Sequence, residues 1–197
     1  PTTDQGILIV PMTTLMHRTA PIDFVSSRTF TYAIGDQLDR PKLQNQLSRA
    51  GYKRVETVFE HGAFAFRGSI IDIFPMGVKT PFRMDLMDDD IESLRLFDDE
   101  SQRTLENINQ IELLPAREFP MDKQATNQFL NNWHEIFDHD PSKCPVYRDI
   151  KDGITPQCIE YYLSLFFEET ATLFDYLPSN LLLFTDEGID VAAEQFW

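Results

Sequence analysis

Residues 81–98 read PFRMDLMDDDIESLRLFD. The stretch decides the fold, because its period is two. In a strand successive side chains point to opposite faces. Phe82, Met84 and Leu86 then share an apolar face, and Arg83, Asp85 and Met87 share the other. Asp88, Asp89 and Asp90 supply a turn, and Ile91 to Phe97 returns as the second strand of a hairpin. A three-residue turn sets Met87 opposite Ile91, Asp85 opposite Ser93 and Arg83 opposite Arg95. Leu94 and Leu96 then join the core face. The outer face is expected to hold two arginines, an aspartate, Met87 and Ile91. Guanidinium mixed with exposed apolar groups is the composition of protein interfaces. It is also that of ordinary cross-strand ion pairs.

Working outward, the same period governs residues 52–114. Phe64 to Phe66 and Ile70 to Phe74 read as strands around Arg67-Gly68, and Pro75-Met76-Gly77 as a turn. Gln110 to Leu114 is a further strand, stopped by Pro115. Upstream, Ser27 to Ile34 reads as a strand. Asp39-Arg40-Pro41 opens a helix with the stripe Leu43, Leu47 and Ala50, ended by Gly51. Thr13 to Arg18 reads as a short helix. Lys123 to Phe137, Glu160 to Phe167 and Val191 to Trp197 read as helices. The apolar runs GILIVP (6–11) and LLLF (181–184) read as strands buried on both faces, as in a parallel sheet. The expected fold class is α/β, in an α+β mix. A small β-rich domain (29–116) is inserted into a truncated α/β domain formed by residues 1–28 and 117–197. A strand run so near a start without Met reads as part of an excised fragment.

Composition narrows the function. The chain has 197 residues, 32 acidic and 17 basic, for a net charge of −15. That balance disfavours non-specific binding to nucleic acid or anionic membranes. Sixteen Phe argue against disorder. Cys144 and Cys158 form neither a C-x-x-C motif nor a metal spacing, which suits reduced thiols in a cytoplasmic protein. No apolar run is long enough to span a bilayer.

Catalytic signatures are missing. None of the eight glycines lies in a phosphate-cradling pattern. His134 and His139 stand five apart, roughly 140° around a helix, where a zinc pair needs four. Asp88 to Asp90 lacks the calcium-loop pattern.

The stretch from Tyr52 to Pro120 resembles a known family. Its most specific parts are EHGAFAFRGSIIDIFPMG (60–77), DESQRTL (99–105) and LLPAREFP (113–120), and the likeness runs from GILIVPMTTLMHR to LPSNLLLF. The chain is similar to the N-terminal, UvrB-homologous module of bacterial transcription-repair coupling factors (Mfd). UvrB shares the core R-G-x-x-x-[DE]-I-F-P but is less similar around it.

The resemblance implies a non-catalytic adaptor whose middle segment binds UvrA, recruiting excision repair to a stalled RNA polymerase. It implies flanks from a degenerate helicase-like domain, with no cofactor in this fragment. ATP use and contacts with RNA polymerase and DNA would belong to other domains of the full protein. The UvrA-contacting arginines fall on Arg67 and Arg83. UvrB-type contacts align with Arg54 and Asp85. Met87 stands where coupling factors carry an aromatic. The alternative is a nucleic-acid-binding module of a UvrB-like helicase, which the charge opposes.

Overall fold

The computed structural model describes residues 6–196. Two short helices, α1 (Met12–Leu15) and α2 (Ile22–Ser26), precede β1 (Phe30–Ala33) and α3 (Arg40–Arg49). Seven strands follow: β2 (Lys53–Arg54), β3 (Ala63–Arg67), β4 (Ile70–Phe74), β5 (Phe82–Met87), β6 (Asp90–Phe97), β7 (Thr104–Ile108) and β8 (Gln110–Leu113). Strands β2 to β7 form one sheet in chain order, antiparallel except for the parallel β2–β3 pair. Strands β1 and β8 form a separate antiparallel pair, Phe30 opposite Leu113. The chain therefore enters and leaves the β-rich unit side by side.

Helix α3 is built as its sequence demands. The Asp39 side chain accepts from the Lys42 N–H at 2.9 Å, and Pro41 lies in the first turn, where its missing donor costs nothing. At the far end Tyr52 N donates to Leu47 O and Gly51 N to Ser48 O, the two bonds of a Schellman cap. Gly51 sits at φ +94°, and a Cβ there would lie 2.5 Å from Arg117 Cγ. Leu43 and Leu47 face the sheet and pack with Phe64, Ile71, Ile73, Phe82, Met84 and Leu94. Each such side chain contributes roughly 1.5–3 kcal/mol by leaving water.

The hairpin differs from expectation in one place. Asp85 faces Ser93 and Arg83 faces Arg95, as the period requires, but Leu86 pairs with Ile91 and Met87 with Asp90. The turn has two residues, with Asp88 at φ 57°, and Glu92 is the extra residue of a bulge. The bulge turns Ile91 into the core, so it leaves the outer face. Burial of an isoleucine outweighs the regularity of the ladder. Strands β2 and β7 were not foreseen: β2 is two residues long, and β7 is exposed along most of its length and shows no alternation.

The secondary-structure elements that flank this unit are helices joined by coil. Helix α4 (Lys123–Ile136), capped by the Asp122 side chain on Ala125 N, packs Phe129 and Trp133 against α5 (Pro145–Lys151) and a 3₁₀ helix, Ile159–Phe166. The last reads as a helix from sequence and is wound more tightly. The start of the chain joins this lobe: Thr19 and Ala171 exchange backbone bonds at 2.9 and 3.0 Å, and Tyr176 Oη donates to Ala20 O. Helix α6 (Ile189–Phe196) lies against α1. Trp197, the last residue of the expected final helix, lies outside the described residues.

Two expectations are overturned here. Residues 6–11 and 181–184 are coil, and their apolar side chains face solvent, Ile7 92% and Phe184 88% exposed. A strand needs a neighbour for its backbone groups, and among the described residues neither run has one. The α+β mix stands on the remaining elements. No helix is long and apolar enough to cross a membrane.

Candidate protein-binding face

The six-stranded sheet has one face on α3 and one facing away. On the second face the register aligns Ala65, Asp72, Arg83, Arg95 and Asn107 in one row across β3 to β7. The adjacent row carries Arg67, Ile70, Asp85 and Ser93. Period two in each strand, with β6 carrying a bulge only beyond Ser93, delivers these side chains to the same side.

Asp72 is the centre of the face. It is 0% exposed and lies within the otherwise apolar run IIDIF. Its Oδ1 accepts from Arg83 Nε at 2.6 Å and its Oδ2 from Arg83 Nη2 at 3.0 Å, a two-point clamp. Arg67 Nη2 donates to the same Oδ2. A buried carboxylate without cations would be costly, so the two arginines are the condition for its presence. The Arg83 guanidinium also lies 4.6 Å from the centroid of the Phe97 ring.

A second pair stands beside it. Arg95 Nη2 and Ser93 Oγ both donate to Asp85 Oδ2, the hydroxyl at 2.8 Å. At the opposite end the face is closed by Val55, Val58, Ala63, Ala65, Phe74 and Phe97. Gln102 fastens that cover, donating to Val58 O at 3.0 Å and Asp99 O at 2.6 Å.

The residues singled out from sequence separate into two groups. Arg67, Arg83 and Asp85 come together on this face. Met87, 62% exposed, ends the same strand as Arg83 and Asp85. Arg54 does not join them. It pairs in register with Phe64 and lies beside Phe66, both of which belong to the α3 side of the sheet.

Their states also differ. Arg83 is 14% exposed, with its fork held by Asp72 at two nitrogens, whereas the Arg67 side chain is 44% exposed and reaches the acid through Nη2. Arg67 is the most exposed of the three arginines on this face, Arg95 being 31% exposed and paired with Asp85. Sequence reasoning passed over Asp72. Its signal was there: one acid among four apolar strand residues, at the acidic position of R-G-x-x-x-[DE]-I-F-P. Among the described residues, no group of three or more His, Cys, Asp or Glu is placed to hold a metal ion.

Comparisons with known proteins show what the chain is similar to. Residues 30–119 match the family model of the UvrB interaction domain. The chain is 44% identical over 197 residues to a transcription-repair-coupling factor of Escherichia coli K12, covering 100% of this chain and 17% of that protein. It is 42% identical over 196 residues to the one of Haemophilus influenzae, covering 98% of this chain and 17% of that protein. For the Bacillus subtilis protein the identity is 28% over 204 residues, covering 93% and 17%. The chain thus spans 17% of the length of these relatives. Over its whole length the chain is similar to a segment of transcription-repair-coupling factors, and its residues 30–119 match the UvrB interaction domain.

Proposed function

We propose that this chain is a non-catalytic adaptor module of transcription-repair coupling, and that it binds UvrA through the face built on Asp72. The observation that carries the reading is the exposed guanidinium of Arg67, anchored by a buried acid, on a chain of net charge −15. An anchored arginine loses less freedom on binding than a free one and offers a carboxylate two parallel bonds. Met87 adds an exposed apolar group to the same surface, and a flexible thioether fits an irregular pocket. The match to the UvrB interaction domain supports the partner. In this reading Arg83 and Asp72 hold the surface in shape, and Arg67 meets the partner. RNA polymerase, DNA and ATP are assigned to other parts of the longer protein.

Calorimetric titration of the chain with purified UvrA tests this. Wild type binds, Arg67→Ala weakens binding at least about tenfold, and circular dichroism of the variant is unchanged. Equal binding by both moves the site elsewhere. A low-salt gel shift on single-stranded and duplex DNA separates the nucleic-acid alternative, which the net charge opposes.

A further inference from the structure

Residues 40–55 read RPKLQNQLSRAGYKRV, with five basic residues and no acid. Without those five charges the net charge of the chain would fall from −15 to −20. In α3 the spacing of three and four between Lys42, Asn45 and Arg49 makes one exposed stripe, turned away from the buried Leu43 and Leu47. Asn45 also borders a groove that it lines with Arg40, Pro41, Gln44, Arg54 and Phe66. Four bases therefore flank the outward ridge of Pro41, Asn45 and Ser48. At the helix end the stem of Arg117 lies over Gly51 and adds a fifth. Among the described residues, ion pairs reach Arg67, Arg83 and Arg95, and none reaches Arg40, Lys42, Arg49, Arg54 or Arg117.

This helix face differs from the Asp72 face in what stands between its cations. No large apolar side chain is exposed between Ile34 and Phe59. A protein partner would find no apolar anchor there to bury. The intervening Gln44, Asn45 and Ser48 are instead hydrogen-bonding side chains of the kind that hold phosphates and sugars. Lys42 and Arg49 stand about 10 Å apart along the helix at its ordinary rise. That distance spans about three phosphates of a B-form strand. The one aromatic ring at the site, Phe66, lies under Arg40 and Arg54, so no base can stack on it. A site that grips phosphates and offers no stacking platform fits a duplex better than an unpaired strand.

We infer that the outer face of α3 is a sequence-independent contact for the phosphate backbone of duplex DNA. The net charge opposes this contact at long range. Charges farther away than a Debye length, about 10 Å at 0.1 M salt, are largely screened, and within that range the bases of α3 dominate. The contact is weak, with a Kd on the order of 10⁻⁴–10⁻⁶ M. It adds to the DNA contacts assigned to other parts of the longer protein. It also lies across the sheet from Asp72, so DNA and a protein partner occupy opposite sides, and it does not depend on the UvrA reading.

The test is fluorescence anisotropy of a labelled random-sequence duplex, titrated with the chain from low to physiological salt. Lys42→Ala/Arg49→Ala removes two exposed charges from the α3 face. Lys143→Ala/Lys151→Ala removes two exposed charges from the helical lobe and reaches the same net charge. Thermal midpoints of both are measured alongside. Wild type is expected to bind, and the α3 variant to bind at least about tenfold more weakly, with a salt slope smaller by roughly two. The lobe variant and Arg67→Ala are expected to bind the duplex as wild type does. A wild type that leaves the duplex unbound at low salt overturns the inference, and so do equal losses in the α3 and lobe variants. Poly-L-glutamate that binds wild type and not the α3 variant, while the duplex binds neither, would assign the face to an acidic protein instead. UvrA binding, measured separately, decides the adaptor reading whichever way the duplex behaves.

Discussion

The Asp72 carboxylate grips Arg83 through two nitrogens, Nε at 2.6 Å and Nη2 at 3.0 Å, across directly paired strands. That contact sorts the arginines of the face. Arg83 faces its own buried acid and is part of the fold. Arg67 touches the same acid from the rim and remains open to solvent. A binding assay alone would confuse the two roles, because losing Arg83 disturbs the platform on which Arg67 stands.

Stability separates them. Arg83→Ala removes charge-assisted bonds to a buried carboxylate and is expected to cost about 2–3 kcal/mol. Arg67→Ala leaves Asp72 clamped and costs under about 1 kcal/mol, as exposed pairs do. Asp72→Ala strands the largely buried Arg83 guanidinium and is expected to cost about 3–5 kcal/mol. Urea denaturation followed by circular dichroism gives all three values. Equal losses for the two arginines would remove the distinction.

A second stability prediction concerns the hairpin bulge. Ile91 sits in the main core while Met87, four residues earlier, is exposed. Ile91→Ala is expected to destabilise by about 2–5 kcal/mol, and Met87→Ala by no more than a few tenths. A regular hairpin with Ile91 outside would make both substitutions mild.

The bulge also marks the limit of what alternation tells. The rows Phe82-Met84-Leu86 and Arg83-Asp85 are readable because every second residue is apolar, and the pairs Arg83–Arg95 and Asp85–Ser93 follow from that. Glu92 breaks the alternation by one residue, and only the volume available beneath Ile91 decides that it does. The hub of the face was readable in principle, since Asp72 interrupts IIDIF, but which cations reach it depends on strand order. GILIV and LLLF show the opposite limit. An apolar run states a demand for burial and not the position of the strand that would meet it, and the described residues contain none beside either run. Arg54 was placed on the site by likeness alone, and only the parallel pairing of β2 with β3 sends it to the other face.

The cap of α3 gives a backbone prediction. Gly51→Ala forces a Cβ into the left-handed region and against the Arg117 stem. The expected cost is about 1–3 kcal/mol, read as a lower thermal midpoint. Adding Arg117→Ala removes the contact but not the backbone strain, so it should recover part of the loss and never all of it.

The last prediction concerns alkaline pH. Tyr52 is buried where LLPAREFP crosses the end of α3, and its hydroxyl donates to Leu114 O at 2.6 Å. Burial pushes its phenol up to about 12, against a smaller opposite pull from the Met76 backbone. The folded state therefore holds this proton more tightly than the unfolded chain, whose phenol titrates near 10. The sign follows from linkage: the contribution is complete below pH about 10 and is lost as pH rises through about 12. A shift of this size corresponds to roughly 2–3 kcal/mol. Urea denaturation at pH 9 and at pH 11.5 should show a larger drop for wild type than for Tyr52→Phe, which has no proton to lose. The other tyrosines and the lysines titrate in both proteins and cancel in the comparison. Equal drops would mean that the Tyr52 hydroxyl titrates in the folded protein as it does in the unfolded chain.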